Sequence, residues 1–460
     1  MAVKRNGERS PVKSPAAGAR QLREAQVGIL VERLMGYSKP YEELMVRREQ
    51  GEHVQQMLIG LLGDGERKSI EPIAIAQGIA PRVLQGFMGI TTWDHQPLRD
   101  LLRAEVTDEI GADDGTLILD GSSVPKKGKG TVGVKRQWCG HAGKVDNCVT
   151  GVHAVYVGAD GCAVMVDSDV YLPREWTDDE DRRAQGHVPE GVKYRTIQEI
   201  AAWQVDRAAK HLPFSWVLAD EEFGRARWFR DWALVQEKCY AMSVPKNTTI
   251  ERLAFGMTVC REMLPAEQVI AGVKPGRWKV YHVRKGTKGP ITVRAVALTV
   301  QTPRKRGARK RELLVVTEKT DGTERSYHLV GAPPGTPLIE ILRRIQLRHR
   351  VEEVFGEAKG EVGMDHYELR SYHGWHHHMT LVAISHWFLL REKRRLKLAE
   401  LHGITVSMVR KIVSKLIAIP STIANVTALA NYLRDRNIAV MNAHYAALGL
   451  PPPDLAEVYR

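Results

Sequence analysis

Cysteine is scarce in this chain of 460 residues, and its distribution follows no metal-binding or disulfide pattern. The five cysteines are an odd number, and no two of them form a Cys-x-x-Cys pair. A zinc site and a disulfide framework are therefore both disfavoured. Because no secretory signal precedes them, we expect a reduced, cytoplasmic chain.

Long hydrophobic runs are also lacking. The most apolar stretch, residues 379–390, is shorter than the roughly 20 residues that a membrane-spanning helix needs, and it contains His386. We interpret this stretch as a buried helix and expect no membrane role. Hydrophobic residues make up 43% of the sequence, which is enough to form a sizeable core.

Acidic residues are in deficit. Lys and Arg number 67 against 54 Asp and Glu, which gives a formal net charge of +13 and a pI near 9.4. A surplus of this size favours a polyanionic partner, and nucleic acid is the commonest one. The charge alone also fits a soluble basic protein without such a partner.

The centre of the chain shows a defined order of predicted elements. Apolar and β-branched runs alternate with helical stretches, and the Gly-Ala-Asp-Gly sequence at 158–161 is typical of a hairpin turn. Five strands are predicted, at 116–119, 149–157, 162–172, 215–219 and 240–244, and the hairpin joins the second to the third. Helices at 197–211 and 224–238 precede the fourth and fifth strands. We therefore predict an α/β fold with a mixed sheet and helices on its faces.

The flanking segments differ in composition from this centre. A long helix is predicted from about Pro337 toward Val362. Short helices before the centre could form a DNA-binding module, and a helical scaffold fits them nearly as well. The predicted division is a basic flexible tail (1–20), a helical region expected to bind DNA (21–110), a core (111–245 and 336–395), a β-rich insertion (246–335) and a helical C-terminal region (396–460).

The insertion contains a strongly basic run at 304–311. Six of its eight residues are cationic: Arg304, Lys305, Arg306, Arg309, Lys310 and Arg311. A solvated hairpin loop is one interpretation. We favour a DNA-contacting arm that binds phosphates, because the whole chain is basic as well.

Two aspartates occupy equivalent places in the predicted core. Asp120 and Asp220 each follow the last apolar residue of a predicted strand. In open α/β sheets, ligands bind in the crevice beyond the strand ends. One such Asp is usually a turn or capping residue, but two in this strand order could share a divalent cation.

A third carboxylate follows from helical geometry. At about 100° per residue, one arc of the predicted helix is apolar and must face the core: Val351, Val354, Phe355, Ala358 and Val362. Glu352 lies at the edge of that arc, in one stripe with Arg348 and Lys359. Glu353 and Glu357 fall toward solvent. The alternative is an ordinary surface ion pair between Arg348 and Glu352.

Three carboxylates from two strands and one helix can hold two metal ions about 4 Å apart, an arrangement suited to in-line phosphoryl transfer. Arg348 and Lys359 beside them would bind phosphate oxygens. We therefore predict Asp120, Asp220 and Glu352 as catalytic, metal-binding residues.

Three stretches of sequence resemble the DDE transposases of bacterial insertion sequences. The first is Leu-Asp-Gly-Ser-Ser-Val-Pro-Lys-Lys-Gly at 119–128, continued by Val-Gly-Val-Lys-Arg-Gln-Trp-Cys-Gly at 132–140. The second is Leu-Ala-Asp-Glu-Glu-Phe-Gly at 218–224, and the third is Arg-x3-Glu-x6-Lys at 348–359. The resemblance is strongest to the type named insertion sequence seven-zero-one, within the group of the fourth insertion sequence. The signature tyrosine of that group is replaced here by Ile345.

This resemblance implies an RNase H-like core with the β-rich insertion before the glutamate helix. It implies a Mg²⁺-dependent enzyme (Mn²⁺ could substitute) that cuts and rejoins double-stranded DNA at element ends and at a target. Asp120 would contact both ions, and Lys126 and Lys127 would contact DNA. A synaptic complex needs a dimer or higher assembly, associated with the bacterial nucleoid. Two alternatives stay open: an RNase H-like nuclease without joining activity, and an inactive DNA-binding remnant.

Overall fold

The computed structural model describes residues 22–252, 263–286, 289–303, 310–319, 322, 324–398, 403–418 and 423–458. The predicted flexible tail and most of the basic run, residues 304–309, lie outside these ranges. Five helices come first: α1 Glu24–Glu43, α2 Arg48–Leu62, α3 Ile70–Ala76, α4 Pro81–Gly89 and α5 Gln96–Ile110.

The core follows. Its strands are β1 Thr116–Pro125, β2 Lys135–Cys139, β3 Lys144–Val157, β4 Ala163–Val170, β5 Trp216–Ala219 and β6 Cys239–Val244. Its helices are α6 Arg174–Thr177, α7 Glu180–Gln185, α8 Ile197–Ala208, α9 Glu221–Gly224 and α10 Arg227–Val235.

The insertion and the C-terminal part complete the chain. The insertion contains β7 Thr249–Arg252, β8 Met263–Pro265, α11 Ala266–Ala271, β9 Lys279–Gly286, β10 Gly289–Gln301, β11 Arg311–Glu318 and β12 Arg325–Gly331. The remaining helices are α12 Leu338–Leu347, α13 Arg350–Val362, α14 Tyr372–Leu398, α15 Val406–Ala418, α16 Ile423–Ala447 and α17 Leu455–Val458.

The core sheet has the order β4-β3-β1-β5-β6. The strand β3 is antiparallel to β1 and β4, whereas β1, β5 and β6 are parallel to one another. Parallel neighbours need a crossover connection, which α8 and α10 provide. The α/β, RNase H-like fold predicted from the sequence is therefore confirmed.

The insertion extends this sheet rather than forming a separate one. Its last strand, β12, is antiparallel to β6, with Tyr327 opposite Val244 and Gly331 opposite Tyr240. The order then continues through β11, β10, β7 and β8, with β9 on β10. Within the described residues, the core and the insertion thus form one continuous hydrogen-bonded sheet.

The predicted long helix is in fact two helices. Between α12 and α13, Arg348 N–H donates to the Ile345 carbonyl and Glu352 N–H to the His349 carbonyl. In these hydrogen bonds the N–H of residue i donates to the carbonyl of residue i−3, rather than i−4 as in an α-helix. The backbone is therefore wound more tightly at Arg348 and His349. The prediction of one continuous helix was wrong at this point.

Most helices pack into one large apolar cluster with the core sheet. Buried side chains from Leu22 in the N-terminal part to Leu433 in α16 belong to it, and a smaller cluster lies within the insertion. The apolar stretch 379–390 lies inside α14 and is buried throughout, as predicted. None of the helices in the described ranges is long and apolar enough to span a membrane.

A buried ion pair joins the insertion to the core. The Glu312 carboxylate at the start of β11 accepts hydrogen bonds from Arg230 Nε (2.8 Å), Tyr240 and Thr302. The side chains of Arg230 and Glu312 are each 4% exposed. Removing one partner of such a pair leaves a buried charge without compensation.

We expect Glu312→Gln to lower the free energy of unfolding by on the order of 3 kcal/mol, because Arg230 stays buried and charged. Urea unfolding of the purified variant measures this. Glu324→Gln is the matched control: its pair with Lys319 is exposed and should contribute less than about 0.5 kcal/mol. Equal stability of the two variants would show that the insertion does not depend on this contact.

Candidate active site

The two aspartates are placed by parallel strand pairing. β1 and β5 pair from Thr116 opposite Trp216 to Leu119 opposite Ala219. The next residue on each strand is Asp120 or Asp220, so the two carboxylates project from neighbouring strands about 4.8 Å apart. Asp220 also caps α9, since its side chain accepts a hydrogen bond from Glu222 N–H.

Asp120 does not lie at a strand end, contrary to the sequence-based expectation. β1 continues to Pro125, because its pairing with β3 goes on after its pairing with β5 has stopped. Asp120 therefore stands in the middle of β1, opposite His153. The apolar run ends at Leu119 because only the segment between β3 and β5 is flanked by strands on both sides.

Arg348 connects the strand to the helix. Its Nη1 donates to Asp120 Oδ2 and its Nη2 to Glu352 Oε1, each at 3.1 Å. The Asp120 side chain is 15% exposed and the Glu352 side chain 64%. The structure thus brings Asp120, Arg348 and Glu352 together, with Arg348 between the two carboxylates.

The three carboxylates are close enough to affect one another electrostatically. Burial raises the pKa of Asp120 to about 7, and repulsion from Asp220 and, more weakly, from Glu352 adds to the rise. The Arg348 guanidinium opposes this increase in the pKa. The ionised form of Asp120 therefore depends on nearby positive charge for its stabilisation.

The neighbouring glutamates of α13 are engaged elsewhere. Glu353 accepts from His349 Nε2 and Arg350 Nη1, both at 2.6 Å. Burial would raise the pKa of Glu353, but these hydrogen bonds lower it to about 2. Glu357 was expected to face solvent, but it binds the buried His386 of α14 at 3.1 Å. The solvent-facing assignment of Glu357 was wrong, because α14 covers that side of α13.

The predicted phosphate-binding cations fall into different environments. Lys359 lies over the Phe355 ring on α13, 5.9 Å from its centroid. Lys126 donates to the Tyr367 carbonyl, and burial lowers its pKa to about 8, whereas Lys127 is exposed. Lys126 therefore connects the end of β1 to the segment after α13. In the basic run, Lys310 and Arg311 are described, while Arg304, Lys305, Arg306 and Arg309 lie outside the described residues.

Sequence reasoning missed a cationic cleft beside Asp220. It has a volume of about 490 Å³ and is lined by residues of the core, of β12 and of the helix junction. Lys246, Arg325 and Arg348 supply three positive charges to its walls, and Asp220 and Glu221 supply two negative ones. No local signal could have revealed it, because Arg325 reaches the site only through the pairing of β12 with β6.

His153 was also missed. It is fully buried opposite Asp120, its ring contacts Phe355 and Trp375, and neither ring nitrogen has a hydrogen-bond partner among the described residues. Burial lowers its pKa to about 3, and Lys359 contributes to this. A neutral histidine therefore lies opposite Asp120 on β3 and packs against Phe355 of α13.

The consecutive histidines of α14 are core residues. His376, His377 and His378 are at most 2% exposed, and His377 stacks on Trp93 with 3.7 Å between ring centroids. Ile345, at the signature tyrosine position, is likewise buried, at 7%. That side chain packs into the core rather than contributing to the surface of the site.

The carboxylates suit a hard divalent cation in donor type and charge, since such ions prefer oxygen ligands. Nevertheless, within the described part of the chain, no three His, Cys, Asp or Glu side chains stand in position to hold one metal ion. The Arg348 guanidinium is paired with both Asp120 and Glu352.

This fold and this cluster of carboxylates define a class of nucleic-acid enzyme. The chain belongs to the DDE superfamily endonuclease family, whose pattern matches residues 40–313. Endonucleases of this superfamily generally use divalent metals. The match includes Asp120 and Asp220 and ends before Glu352.

Among curated proteins, the chain is similar to the "Probable transposase for insertion sequence element IS701" of Microchaete diplosiphon, with 31% identity over 192 residues. The aligned part is 41% of this chain and 47% of that protein, so the chain matches about half the length of its curated relative. The resemblance to transposases of this type is confirmed.

The raised pKa of Asp120 has a consequence for stability. Its pKa is higher in the folded chain than in the unfolded chain, so the folded state binds an extra proton between about pH 4 and 7. Stability therefore falls as the pH rises through that range. Without metal, Asp120→Asn should raise the free energy of unfolding by on the order of 1–2 kcal/mol at about pH 8 and change it little near pH 4.

Urea unfolding at both pH values, in the presence of a chelator, measures this difference. Asp146→Asn is the control, because Asp146 lies near the tip of the β2–β3 hairpin, away from the three carboxylates. A destabilised Asp120→Asn protein at pH 8 would show that Arg348 compensates the carboxylate fully.

Proposed function

We propose that this chain is a transposase that binds the ends of a mobile DNA element and catalyses strand cleavage and strand transfer. The observation that supports this most is the Asp120–Arg348–Glu352 bridge beside Asp220. It gathers the acidic residues from two strands and one helix at the edge of a cationic cleft. The relative's name, probable transposase, supports the same function.

Asp120, Asp220 and Glu352 would hold Mg²⁺ ions, for which Mn²⁺ could substitute. When bound, two such ions activate the attacking oxygen and stabilise the leaving oxygen of a phosphodiester. The Glu352 side chain is 64% exposed and its only described partner is Arg348. Arg348 would then exchange its carboxylate partners for a DNA phosphate, for which its guanidinium is well shaped.

The same residues serve both reactions. Water attacks first and frees a 3′-hydroxyl at the element end, and that hydroxyl then attacks target DNA. Lys246 and Arg325 in the cleft, together with Lys127, Lys359 and the basic run, would bind the backbone of the double-stranded substrate. Two element ends require at least two protomers, so we propose a dimer or higher assembly on DNA.

The domain division carries over as part of this proposal. Residues 21–110 and 396–460 would form a helical support for the core, because their buried side chains share its apolar cluster. Binding of DNA by the exposed faces of residues 21–110 stays a prediction.

Glu352→Gln tests the chemistry. The variant keeps the size of the side chain but removes the charge that helps to hold a second cation. Cleavage of labelled element ends with Mg²⁺ should fall at least about a hundredfold, or roughly 3 kcal/mol. Binding of the same ends should persist, because it depends on Lys and Arg.

Glu353→Gln is the matched control on the next residue of α13, where the carboxylate is held by His349 and Arg350. It should cleave nearly as well as the parent. If Glu353→Gln is the inactive variant and Glu352→Gln is active, the choice of third carboxylate is wrong. A parent protein that cleaves without forming strand-transfer products would favour the nuclease alternative.

A further inference from the structure

The β2–β3 hairpin extends beyond the core sheet. Pairing of β1 with β3 ends at Pro125 opposite Cys148, whereas pairing of β2 with β3 continues to Cys139 opposite Lys144. Beyond Cys148, β3 therefore pairs with β2 alone. We call residues 135–147 the β-ribbon. It was not predicted as a strand pair, because Lys-Arg-Gln-Trp-Cys lacks a clear alternation of apolar residues.

The two faces of the β-ribbon differ. On one face, Cys139 and the adjoining Cys148 are fully covered. On the open face, Trp138 lies opposite Val145, and these side chains are 64% and 50% exposed. Arg136, also exposed, is two residues from Trp138 and therefore points the same way. The exposed indole and its apolar neighbour form a small patch that a partner can cover.

The base of the β-ribbon is fixed in place. Asn147 Nδ2 donates to the carbonyls of Lys126 (2.6 Å) and Gly128 (2.9 Å). Gln137 Nε2 donates to Thr150 Oγ1 at 3.1 Å, and Trp176 Nε1 to the Val134 carbonyl at 2.9 Å. The lysine-rich loop after β1 and the β-ribbon thus form one rigid surface, which costs little entropy to order on binding.

The charge around Trp138 fits a polyanion. Lys127, Lys129 and Arg136 are exposed along this surface, and Lys144 is exposed on the other face of the β-ribbon, across from Cys139. A cleft of about 700 Å³ beside the β-ribbon adds Arg174 and Arg182, although Glu175, Asp178 and Asp179 also line it. Lys135 pairs with Glu175, and Lys144 lies 3.5 Å from Asp146. Cations around an exposed indole favour DNA over an apolar protein surface.

The β-ribbon also continues in the direction of β1, the strand that carries Asp120. From Asp120 the chain runs five residues along β1 to Pro125, and Val145 lies three residues further along the paired β3. At about 3.3 Å per residue, this places Val145 at most roughly 26 Å from Asp120. That distance corresponds to about eight base pairs of B-DNA at 3.4 Å per step.

From these observations, we propose that the β-ribbon is a DNA-binding element that enters a groove of the duplex within about eight base pairs of the scissile phosphate. Trp138 packs against the bases while Arg136 binds the backbone. This inference rests on the proposed action on DNA and adds a binding site to it. The dimensions agree, because the major groove admits a two-stranded ribbon.

The test is equilibrium binding of the full chain to a labelled duplex of about 40 base pairs of random sequence, roughly four helical turns. A chelator is present, so that cleavage plays no part. Trp138→Ala should weaken binding on the order of fivefold or more. Arg136→Gln should lower the slope of log K against log salt by about one unit. Trp228→Ala, which changes a 45% exposed tryptophan of α10, is the matched control.

The outcomes are distinguishable. Parent-like affinity of Trp138→Ala and a parent-like salt slope of Arg136→Gln would overturn the proposal while leaving the transposase function intact. Altered sedimentation of Trp138→Ala with unchanged DNA affinity would make the surface a protein contact and also overturn it. A parent chain that binds no duplex at all would instead contradict the proposed function itself. Circular dichroism of each variant establishes that it is folded.

Discussion

The site depends on the repulsion between two carboxylates that strand pairing forces together. Leu119 and Ala219 are the last residues through which β1 and β5 pair with each other, so Asp120 and Asp220 follow on adjacent strands. Burial and this repulsion raise the pKa of Asp120 to about 7. Arg348 supplies the compensating charge, and it can do so because the chain tightens between α12 and α13. The two-helix geometry and the acidic site are therefore linked.

The continuous sheet gives the insertion a part in that site. Since β12 pairs with β6, Arg325 at its start stands in the cleft beside Asp220. The buried Arg230–Glu312 pair holds the start of β11 against α10 of the core. An insertion fixed in this way presents its cations at a constant distance from the carboxylates, and that constancy favours catalysis by positioning.

The sequence allowed prediction of those features that depend on local pattern. An apolar run followed by Asp located Asp120 and Asp220, and the helical stripe located Glu352 beside Arg348, which the structure indeed brings to Asp120. Features that depend on long-range pairing were not predictable. The cleft at Arg325 requires β12 on β6, and the contact of Glu357 with His386 requires α14 over α13. The β-ribbon was missed because its polar strand takes its structure from pairing with β3.

Titration of the metal-free protein with Mn²⁺, followed by electron paramagnetic resonance, tests the central claim that the three carboxylates form one cation site. We predict two bound ions for the parent, none for Asp120→Asn, and one for each of Asp220→Asn and Glu352→Gln. Glu353→Gln should bind as the parent does, because its carboxylate is held by His349 and Arg350. Parent-like binding by Asp120→Asn would contradict the account.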